Sequence, residues 1–413
     1  MKPENMQTTP AATAFDPPPG SAIRETAHRL VSLDAYRGFV MLLMASDGLN
    51  FGDVSQRLPD SSLWRFLAQQ TEHAAWRGCS LWDVIQPLFM FLVGVALPFS
   101  LASRRARGQT FGPMLGHAVW RSLLLIFLGI FLRSVGRPLP YFTFEDVLTQ
   151  IGLGYTFLFL LAWTSRRIQL GAALFLLVAY WAAFALYPLP GANFDFHSVG
   201  VPADWPHLTG FAAHWDKNTN FGAAADQWFL NLFPREKPFV YNDGGYLTLS
   251  FVPSLATMLF GLLAGGFLRR PCPPARKVQV LAGVGIACLI IGMALDLSGI
   301  CPSVKRIWTP AWTIFSTGWT CLLLAAFYAV VDWKGHRRWA FPLVVVGMNS
   351  IAMYMMDHLW DTFVKKTLYE WLGAGFFNLF GSIYAPIMEM VMLLLVLWLI
   401  CYWMYRRKLF LKV

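Results

Sequence analysis

The feature that most restricts the fold of this chain is a series of apolar segments, each long enough to cross a lipid bilayer. A transmembrane helix needs about 20 mainly apolar residues, and windows of that size recur roughly ten times in the chain. They lie at 33–50, 81–102, 116–136, 146–164, 168–187, 246–268, 278–298, 310–331, 340–358 and 384–405. The sequence therefore predicts an all-α, polytopic integral membrane protein with about ten transmembrane helices.

The composition agrees with a membrane protein and argues against a nucleic-acid partner. Charged residues make up 14% of the chain, whereas soluble domains average about 25%. The formal net charge of +10 does not come from one basic surface. Lys and Arg instead form short clusters between apolar segments, at 104–107, 166–167, 269–277, 334–338 and 406–408. These clusters fall on one side of the predicted spans, which the positive-inside rule assigns to the cytoplasm, so both termini are predicted to be cytoplasmic.

The chain divides into a short tail and one membrane domain. Residues 1–29 are rich in Pro, Ala and Thr and lack the apolar core of a signal peptide, so they predict a disordered cytoplasmic tail. Residues 30–413 form the predicted transmembrane domain, which carries an extracytoplasmic insertion at 188–245. Apolar residues at helical spacing over 360–372, opposite charged ones, predict an interfacial helix.

Several kinds of chemistry have no supporting motif. The six cysteines lack metal-ligand spacing, and the histidines of the insertion match no standard zinc pattern, so no metal is predicted. The sequence contains no P-loop, no GxGxxG motif, no serine elbow and no set of haem ligands. Nucleotide hydrolysis and redox chemistry therefore have no support.

The strongest catalytic candidate is His73, which lies just before the second apolar window. Trp76 follows it by three residues and Asp83 by ten, at the mouth of a predicted transmembrane helix. Ionisable side chains are costly at such positions and tend to mark functional sites. An imidazole can accept and return a proton near neutral pH, and Asp83 could orient it. The alternatives are a solvated or capping histidine and a plain Asp83 salt bridge.

Two further polar groups occur within predicted spans. Asp34 and Arg37 are three residues apart and can form a structural ion pair, or Arg37 can bind a phosphate or carboxylate that enters from the cytoplasm. Asn349 and Ser350 lie in the ninth window. They can act as packing contacts between helices or as donors to an oxyanion.

The predicted outer side carries additional candidates for ligand binding. Lys305 and Trp308 belong to a short basic and aromatic loop, which predicts either an anionic ligand or a solvated loop. His358 lies about two turns beyond Asn349 and returns towards the side of His73. His214 and Trp215 are among the histidines and tryptophans of the insertion, which suit sugar binding or contact with the membrane interface.

Several motifs recur in the order and spacing of a known family. The longest is His73-Ala74-x-Trp76-x-Gly78-x4-Asp83-x3-Pro87-x-Phe89-x-Phe91-x2-Gly94. Shorter ones are Ser32-x-Asp34-x2-Arg37-Gly38, Val147-Leu148-x-Gln150-Ile-Gly152, Leu262-x-Ala264-Gly265, Lys305-x2-Trp308-Thr309, Gly347-Met348-Asn349-Ser350 and Tyr405-Arg406-Arg407-Lys408-x-Phe410. In this order, the chain resembles the heparan-α-glucosaminide N-acetyltransferase type of transmembrane acyltransferase, with its bacterial relatives, from Arg29 to the C-terminus.

The resemblance implies transfer of an acetyl group from acetyl-CoA to an amine or hydroxyl of an extracytoplasmic glycan or amino sugar. The family's active-site histidine falls on His73, which would act as a general base or carry the acetyl group itself. Asp83 would orient His73, and Asn349 would stabilise the oxyanion. Acetyl-CoA is then a co-substrate, and no metal is implied.

The resemblance also suggests binding residues. Arg37, Lys305, Trp308 and Ser350 are the candidates for acetyl-CoA. The acceptor candidates are Trp76, Asn50, Asp47, His358, His214 and Trp215. Asp47 and Asn50 lie where the family has an asparagine near the outer end of its first helix, and His358 lies near the family's later histidine.

A glycan or glycolipid transporter is the main alternative, and a catalytically inactive scaffold is a third hypothesis. Transporters often contain internal repeats, and none is visible between the two halves of this sequence. The concentrated cluster around His73 favours an enzyme. The expected location is a bacterial inner (cytoplasmic) membrane, with the lipid bilayer, acetyl-CoA and a glycan as partners, no nucleic acid, and a homodimer as a candidate assembly.

Overall fold

The computed structural model describes residues 30–411, so the predicted tail at 1–29 lies outside the described residues. Within 30–411 the regular structure is helical, and the β interactions amount to one isolated bridge between Arg77 and Val304. The all-α prediction is confirmed for this part of the chain.

The described residues form fourteen α-helices. They are α1 (Val31–Ala45), α2 (Phe51–Arg57), α3 (Ser62–Thr71), α4 (Leu81–Ala106), α5 (Phe111–Ser134), α6 (Val147–Leu161), α7 (Arg166–Ala185), α8 (Phe221–Leu230), α9 (Phe251–Leu268), α10 (Pro274–Leu297), α11 (Pro310–Phe327), α12 (Phe341–Met348), α13 (Ser350–Phe377) and α14 (Ala385–Arg406). A π-helical segment, Tyr328–Trp333, extends α11.

Seven helical segments among the described residues are long and apolar enough to cross a membrane. They are Leu81–Ala106, Phe111–Ser134, Arg166–Ala185, Thr248–Leu268, Pro274–Leu297, Pro310–Trp333 and Ser382–Arg406. Three predicted windows are shorter or broken: α1 and α6 have 15 residues each, and Asn349 interrupts the window at 340–358. A helix of 15 residues rises only about 22 Å, whereas a bilayer core is roughly 30 Å thick. A multi-pass membrane protein is confirmed, and about ten crossings stays a prediction.

The predicted interfacial helix at 360–372 is not a separate element. It is part of α13 (Ser350–Phe377), whose backbone leaves the helical region at Gly373 (φ 75°, ψ 160°), directly after the predicted segment. The helix break lies earlier, at Asn349, where the backbone leaves the helical region (φ −126°, ψ 34°). The predicted boundary near residue 359 is therefore wrong, since α13 runs through it, whereas the interfacial position of 360–372 stays a prediction. Asparagine favours helix ends over helix interiors, so α12 stops before the apolar window is complete.

Close backbone contacts fix the inner helices. A Cβ atom at Gly94 of α4 would lie 1.9 Å from the Met258 carbonyl oxygen of α9. In the same way, a Cβ atom at Gly347 of α12 would lie 1.8 Å from the Asp34 carbonyl oxygen of α1. Small residues allow helix backbones to approach closely inside membranes. These contacts hold α4, which carries Asp83, against α9.

Loops at one end of the bundle form a second small core, which we call the loop layer and define as residues 73–80, 205–217, 242–247 and 301–309. Gly78 N donates to Ser303 O over 3.1 Å, and Trp76 Nε1 donates to Trp215 O over 3.0 Å. Its buried residues Trp76, Trp215, Leu247, Val304 and Ile307 pack with Tyr180 and Phe184 of α7. Part of the 188–245 segment thus packs directly on the loop that carries His73.

Candidate active site

His73 and Asp83 form a hydrogen-bonded pair at the start of α4. His73 Nδ1 donates to Asp83 Oδ1 over 2.7 Å, and their side chains are 33% and 1% exposed respectively. Nδ1 donates to a carboxylate, so Nε2 carries the lone pair and is free to accept a proton. None of the described residues forms a hydrogen bond with this Nε2 atom. The geometry suits either a general base or a nucleophile.

The local sequence explains why the pair forms at this point. Asp83 Oδ2 accepts from Ala74 N, Ser80 N and Ser80 Oγ at 3.0–3.1 Å. Ser80 Oγ in turn accepts from Asp83 N, so Ser80 and Asp83 make a capping box at the N-terminus of α4. Gly78 allows the turn before it, with a φ of +125° that residues with a Cβ atom rarely adopt. The carboxylate that caps the helix therefore also holds His73.

Lys305 is buried close to this pair. It is 5% exposed, and its Nζ donates to Tyr246 Oη over 3.3 Å. Burial lowers the pKa of Lys305 to about 8, although the Asp83 carboxylate opposes the shift. The alternative of a solvated loop at 305–309 is wrong, because its pairing with the His73 loop removes Lys305 from water.

Acidic side chains adjoin Tyr246 and Lys305 on the side of α6. Asn242 Nδ2 donates to Glu145 Oε2 over 2.5 Å, and Arg133 binds Asp146 with a shortest contact of 2.6 Å. Burial and the neighbouring Asp146 carboxylate raise the pKa of Glu145 to about 7. The site therefore contains two buried groups, Lys305 and Glu145, whose pKa values are shifted towards neutral pH.

A cavity of about 300 Å³ lies among α1, α4, α5, α6, α12 and α13. Along α4 its lining extends from Phe89 to Ser100, which corresponds to about 17 Å of helix rise. Phe89 lies about 9 Å beyond Asp83 along the same axis. The cavity therefore occupies more than half of a bilayer thickness and ends close to the His73–Asp83 pair.

A second cavity of about 300 Å³ adjoins the first, and two arginines line each of them. The two share Leu97, Ser100, Arg121 and Tyr155. Arg37 lines the first cavity and Arg104 the second. Arg121 Nη1 donates to Tyr155 Oη over 3.2 Å, while its buried Nε has no hydrogen-bond partner among the described residues. Three guanidinium groups in joined cavities suit the phosphates of a nucleotide.

The structure does not bring Asn349 into the His73–Asp83 pair. Asn349 Oδ1 accepts from Leu411 N over 3.3 Å, and the adjacent Ser350 lines the first cavity together with Arg37. Asn349 is 0% exposed, and its Nδ2 has no hydrogen-bond partner within residues 30–411. Ser350 and Arg37 therefore belong to the cavity lining, whereas Asn349 is buried between two lining residues, Met348 and Ser350.

The predicted aromatic binding residues are largely enclosed. Trp308 is buried and points its Nε1 at Thr257 Oγ1 over 3.4 Å. Trp76 and Trp215 are buried in the loop layer, and His214 Nδ1 lies 2.8 Å from Tyr187 O. These side chains support the walls of the site, and the faces of the three buried tryptophans are not open to a ligand in this conformation.

The remaining predicted residues lie around the site without direct contact to His73. Asn50 Nδ2 donates to Pro386 O over 3.3 Å. Asp47 begins the same turn, which packs on Thr71 through Gly48, directly before the His73 loop. His358 stacks on Tyr354, a residue of the cavity wall, with ring centroids 4.3 Å apart.

Sequence reasoning missed Arg121, Tyr246 and the pair formed by His207 and Asp216. Arg121 had a readable signal, because it is an ionisable residue inside the third apolar window. Tyr246 carries no such signal, since its role depends on the approach of Lys305 from another loop. His207 and Asp216 are nine residues apart in a segment without regular periodicity.

Comparison with known proteins identifies distant relatives. No family model matches the chain. Heparan-alpha-glucosaminide N-acetyltransferase of Mus musculus is 24% identical over 430 residues, which cover 94% of this chain and 61% of that protein. The Homo sapiens protein of the same name is 24% identical over 427 residues, with 93% and 60% covered. The chain thus spans about three fifths of the length of these relatives. The resemblance predicted from the motifs is confirmed: the chain is a distant relative of heparan-α-glucosaminide N-acetyltransferase.

Proposed function

We propose that this chain is a membrane-bound acetyltransferase that moves an acetyl group from cytoplasmic acetyl-CoA to an amine or hydroxyl of an extracytoplasmic glycan or amino sugar. The observation that carries the proposal is the oriented His73–Asp83 pair, which lies beyond one end of a cavity lined by arginines. Relatives that are named N-acetyltransferases support the class of reaction.

His73 acts as the general base in this proposal. Its Nε2 takes the proton that the acceptor amine or hydroxyl loses as it attacks the thioester carbon. Asp83 keeps the proton on Nδ1 and stabilises the imidazolium that forms. His73 then returns the proton to the departing CoA thiolate, so the products are the acetylated acceptor and CoA. We favour this single transfer over an acetyl-His73 intermediate, which would use the same Nε2 lone pair.

The joined cavities provide the acetyl-CoA site. Arg37, Arg104 and Arg121 are assigned to the phosphates, and Ser350 to a hydrogen bond along the chain of the cofactor. The lining of the first cavity ends at Phe89, about 9 Å from Asp83 along α4. Side chains that fill this gap must therefore move aside when the acetyl group passes.

Lys305 and Tyr246 are assigned to the developing oxyanion. Both lie in the loop layer close to Asp83, and Lys305 is a cation in a site that is shielded from water. Preorganised donors in such surroundings stabilise charge that appears only in the transition state. This assignment replaces the role that the sequence suggested for Asn349.

The proposed topology has ten crossings with both termini in the cytoplasm, in a bacterial inner membrane. The seven full-length helices provide seven crossings, and α1, α6 and the α12–α13 pair provide the others. This arrangement puts the loop layer outside. In a Cys79→Ser background, which removes the exposed thiol of the loop layer, a membrane-impermeant maleimide should label Asn193→Cys in intact cells and should reach the native Cys272 only after lysis. Labelling of Cys272 in intact cells would contradict the topology.

The function is tested by transfer of radiolabelled acetyl from acetyl-CoA, with detergent-purified protein and a panel of amino sugars and glycans. His73→Asn is the sharpest variant, since its amide can replace Nδ1 as the donor to Asp83 but has no atom in place of Nε2. His197→Asn, an exposed histidine elsewhere in the chain, is the matched control. We expect acceptor-dependent transfer by the wild type and the control, and none by His73→Asn.

Two results would contradict the proposal. Equal transfer by His73→Asn and the wild type would remove His73 from the reaction. No transfer to any acceptor, together with no binding of CoA, would exclude the acetyltransferase. Glycan flux into vesicles that contain the wild-type protein would then identify a transporter.

A further inference from the structure

A second histidine–aspartate pair lies in the loop layer. His207 Nδ1 donates to Asp216 Oδ2 over 2.5 Å. Asp216 Oδ1 accepts from Trp205 Nε1 over 3.2 Å and from Lys217 N over 2.9 Å. The Asp216 side chain is 6% exposed and that of His207 is 36% exposed. A buried carboxylate with three donors thus fixes the ring of an exposed histidine.

This arrangement repeats the geometry of His73 and Asp83. In both pairs a buried carboxylate receives Nδ1–H, so Nε2 of the histidine is left as an acceptor. His207 Nε2 has no hydrogen-bond partner among the described residues. Removing a carboxylate from water costs free energy. Neutral hydrogen-bonding groups could anchor a surface loop without that cost. The pair is therefore better explained by an imidazole that must present Nε2 in a fixed direction.

The surroundings of His207 suit a sugar. The Phe196 ring lies 4.4 Å from the His207 ring, and Phe194 packs edge-on against Phe196 at 5.1 Å. Phe194 and His207 are exposed, and Phe196 is partly exposed. Together they form an aromatic surface with one oriented hydrogen-bond acceptor. Sites of this kind combine apolar contact area with a few fixed polar groups.

The aromatic surface is joined to the His73 loop by direct contacts. The Trp205 ring, two residues before His207, meets the Trp76 ring edge-on at 5.7 Å. Trp76 also donates its Nε1 proton to the carbonyl of Trp215, the residue before Asp216. Both histidine pairs therefore belong to one packed layer, and a ligand bound at His207 lies on the same face of the protein as the reaction site.

We propose that His207 is an acceptor-binding residue, at which a hydroxyl of a saccharide donates to Nε2 while the sugar ring packs on Phe196. Asp216 is the positioning residue, since it sets the tautomer and direction of the imidazole. The inference rests on the proposed function, because it takes the saccharide to be the acetyl acceptor. The competing explanation is that the pair only anchors the loop.

His207→Asn separates the two explanations. The asparagine amide can still donate to Asp216 in place of Nδ1, but the variant has no acceptor in place of Nε2. Acetyl transfer is measured with glucosamine and its β-1,4 oligomers of two to four units. Titration calorimetry measures the binding of the same sugars without acetyl-CoA. His197→Asn is the matched control, since it is an exposed histidine of the same segment.

We expect His207→Asn to raise the KM and the Kd for at least one of these sugars by roughly 3- to 10-fold, the effect of one lost hydrogen bond. The kcat, the KM for acetyl-CoA and the melting temperature should stay near the wild-type values. The inference is wrong if His207→Asn equals the wild type in KM and Kd with every sugar, or if the wild type binds none of them. If the wild type binds a sugar more tightly than His207→Asn but neither transfers an acetyl group to any acceptor nor binds CoA, the proposed function fails while the saccharide site stands.

Discussion

Replacement of Asp83 by asparagine tests the central pair most directly. Asp83 is 1% exposed in its side chain and accepts four hydrogen bonds, from His73 Nδ1, Ala74 N, Ser80 N and Ser80 Oγ. Asparagine has nearly the same shape but carries no charge, and one of its two terminal atoms is a donor. The variant therefore changes the electrostatics of the pair with little change in volume.

The expected loss of activity follows from these contacts. A hydrogen bond to a charged group contributes about 1.5–3 kcal/mol, and each 1.36 kcal/mol corresponds to a tenfold change in rate, so loss of the charged His73 contact lowers kcat about 10- to 150-fold. If the asparagine amide turns towards His73, the proton moves to Nε2 and the base is lost. A reversed tautomer in a triad costs about 10⁴-fold, which sets the upper limit.

The assay compares Asp83→Asn with Ser80→Ala in acetyl transfer, acetyl-CoA binding and melting temperature. Ser80→Ala removes one neutral donor of the four and should lower kcat no more than about tenfold. We expect both variants to bind acetyl-CoA as the wild type does, because neither Ser80 nor Asp83 lines the cavity. An Asp83→Asn protein that remains folded and retains full kcat would refute the role of this carboxylate.

Three further predictions follow from other parts of the structure. Arg121→Gln should raise the KM for acetyl-CoA roughly 10- to 150-fold through loss of a charged contact, measured by steady-state kinetics; an unchanged KM would exclude Arg121 from the site. Burial lowers the pKa of Lys305 to about 8 from its ordinary 10.5. Between pH 8 and 10.5 the unfolded chain therefore binds more protons than the folded protein, and the melting temperature should rise with pH. Lys305→Met should remove that rise, and an identical pH profile in the variant would contradict it. Gly94→Ala should destabilise the protein by about 1–3 kcal/mol or more, because its Cβ would lie 1.9 Å from Met258 O. Gly116→Ala, whose Cβ meets nothing within 4 Å, should melt at or above the wild-type temperature.

The parts of the fold that sequence could predict are those set by local composition. Long apolar windows predicted the seven full-length helices, since length and hydropathy alone decide whether a helix can cross a bilayer. The break at Asn349 was missed, because a single asparagine in an apolar window lowers helix propensity only slightly and its burial depends on tertiary packing.

The parts of the site that sequence could not predict depend on contacts between distant loops. Lys305 approaches Tyr246 across 59 positions in sequence, and no local pattern specifies that meeting. The same holds for Trp76 and Trp215, which are 139 positions apart. Asn349 was predicted to act with His73 because both belong to family motifs, yet motif order along the chain carries no information on depth in the membrane.

The contact between His73 and Asp83 depends on local sequence, because the Asp83 carboxylate both caps α4 and accepts a hydrogen bond from His73. Ser80 and Asp83 stand three residues apart immediately before an apolar run, which is the pattern of a capping box at the start of a helix. A carboxylate at that position must lie at the helix N-terminus, where Ser80 N and Ala74 N also donate to it. The turn at Gly78 then leaves His73 within reach of the remaining oxygen. The His73–Asp83 pair is therefore built from the end of the helix. Under the proposed function, a substitution that shifts this helix end should lower acetyl transfer while the packing of the membrane helices stays unchanged.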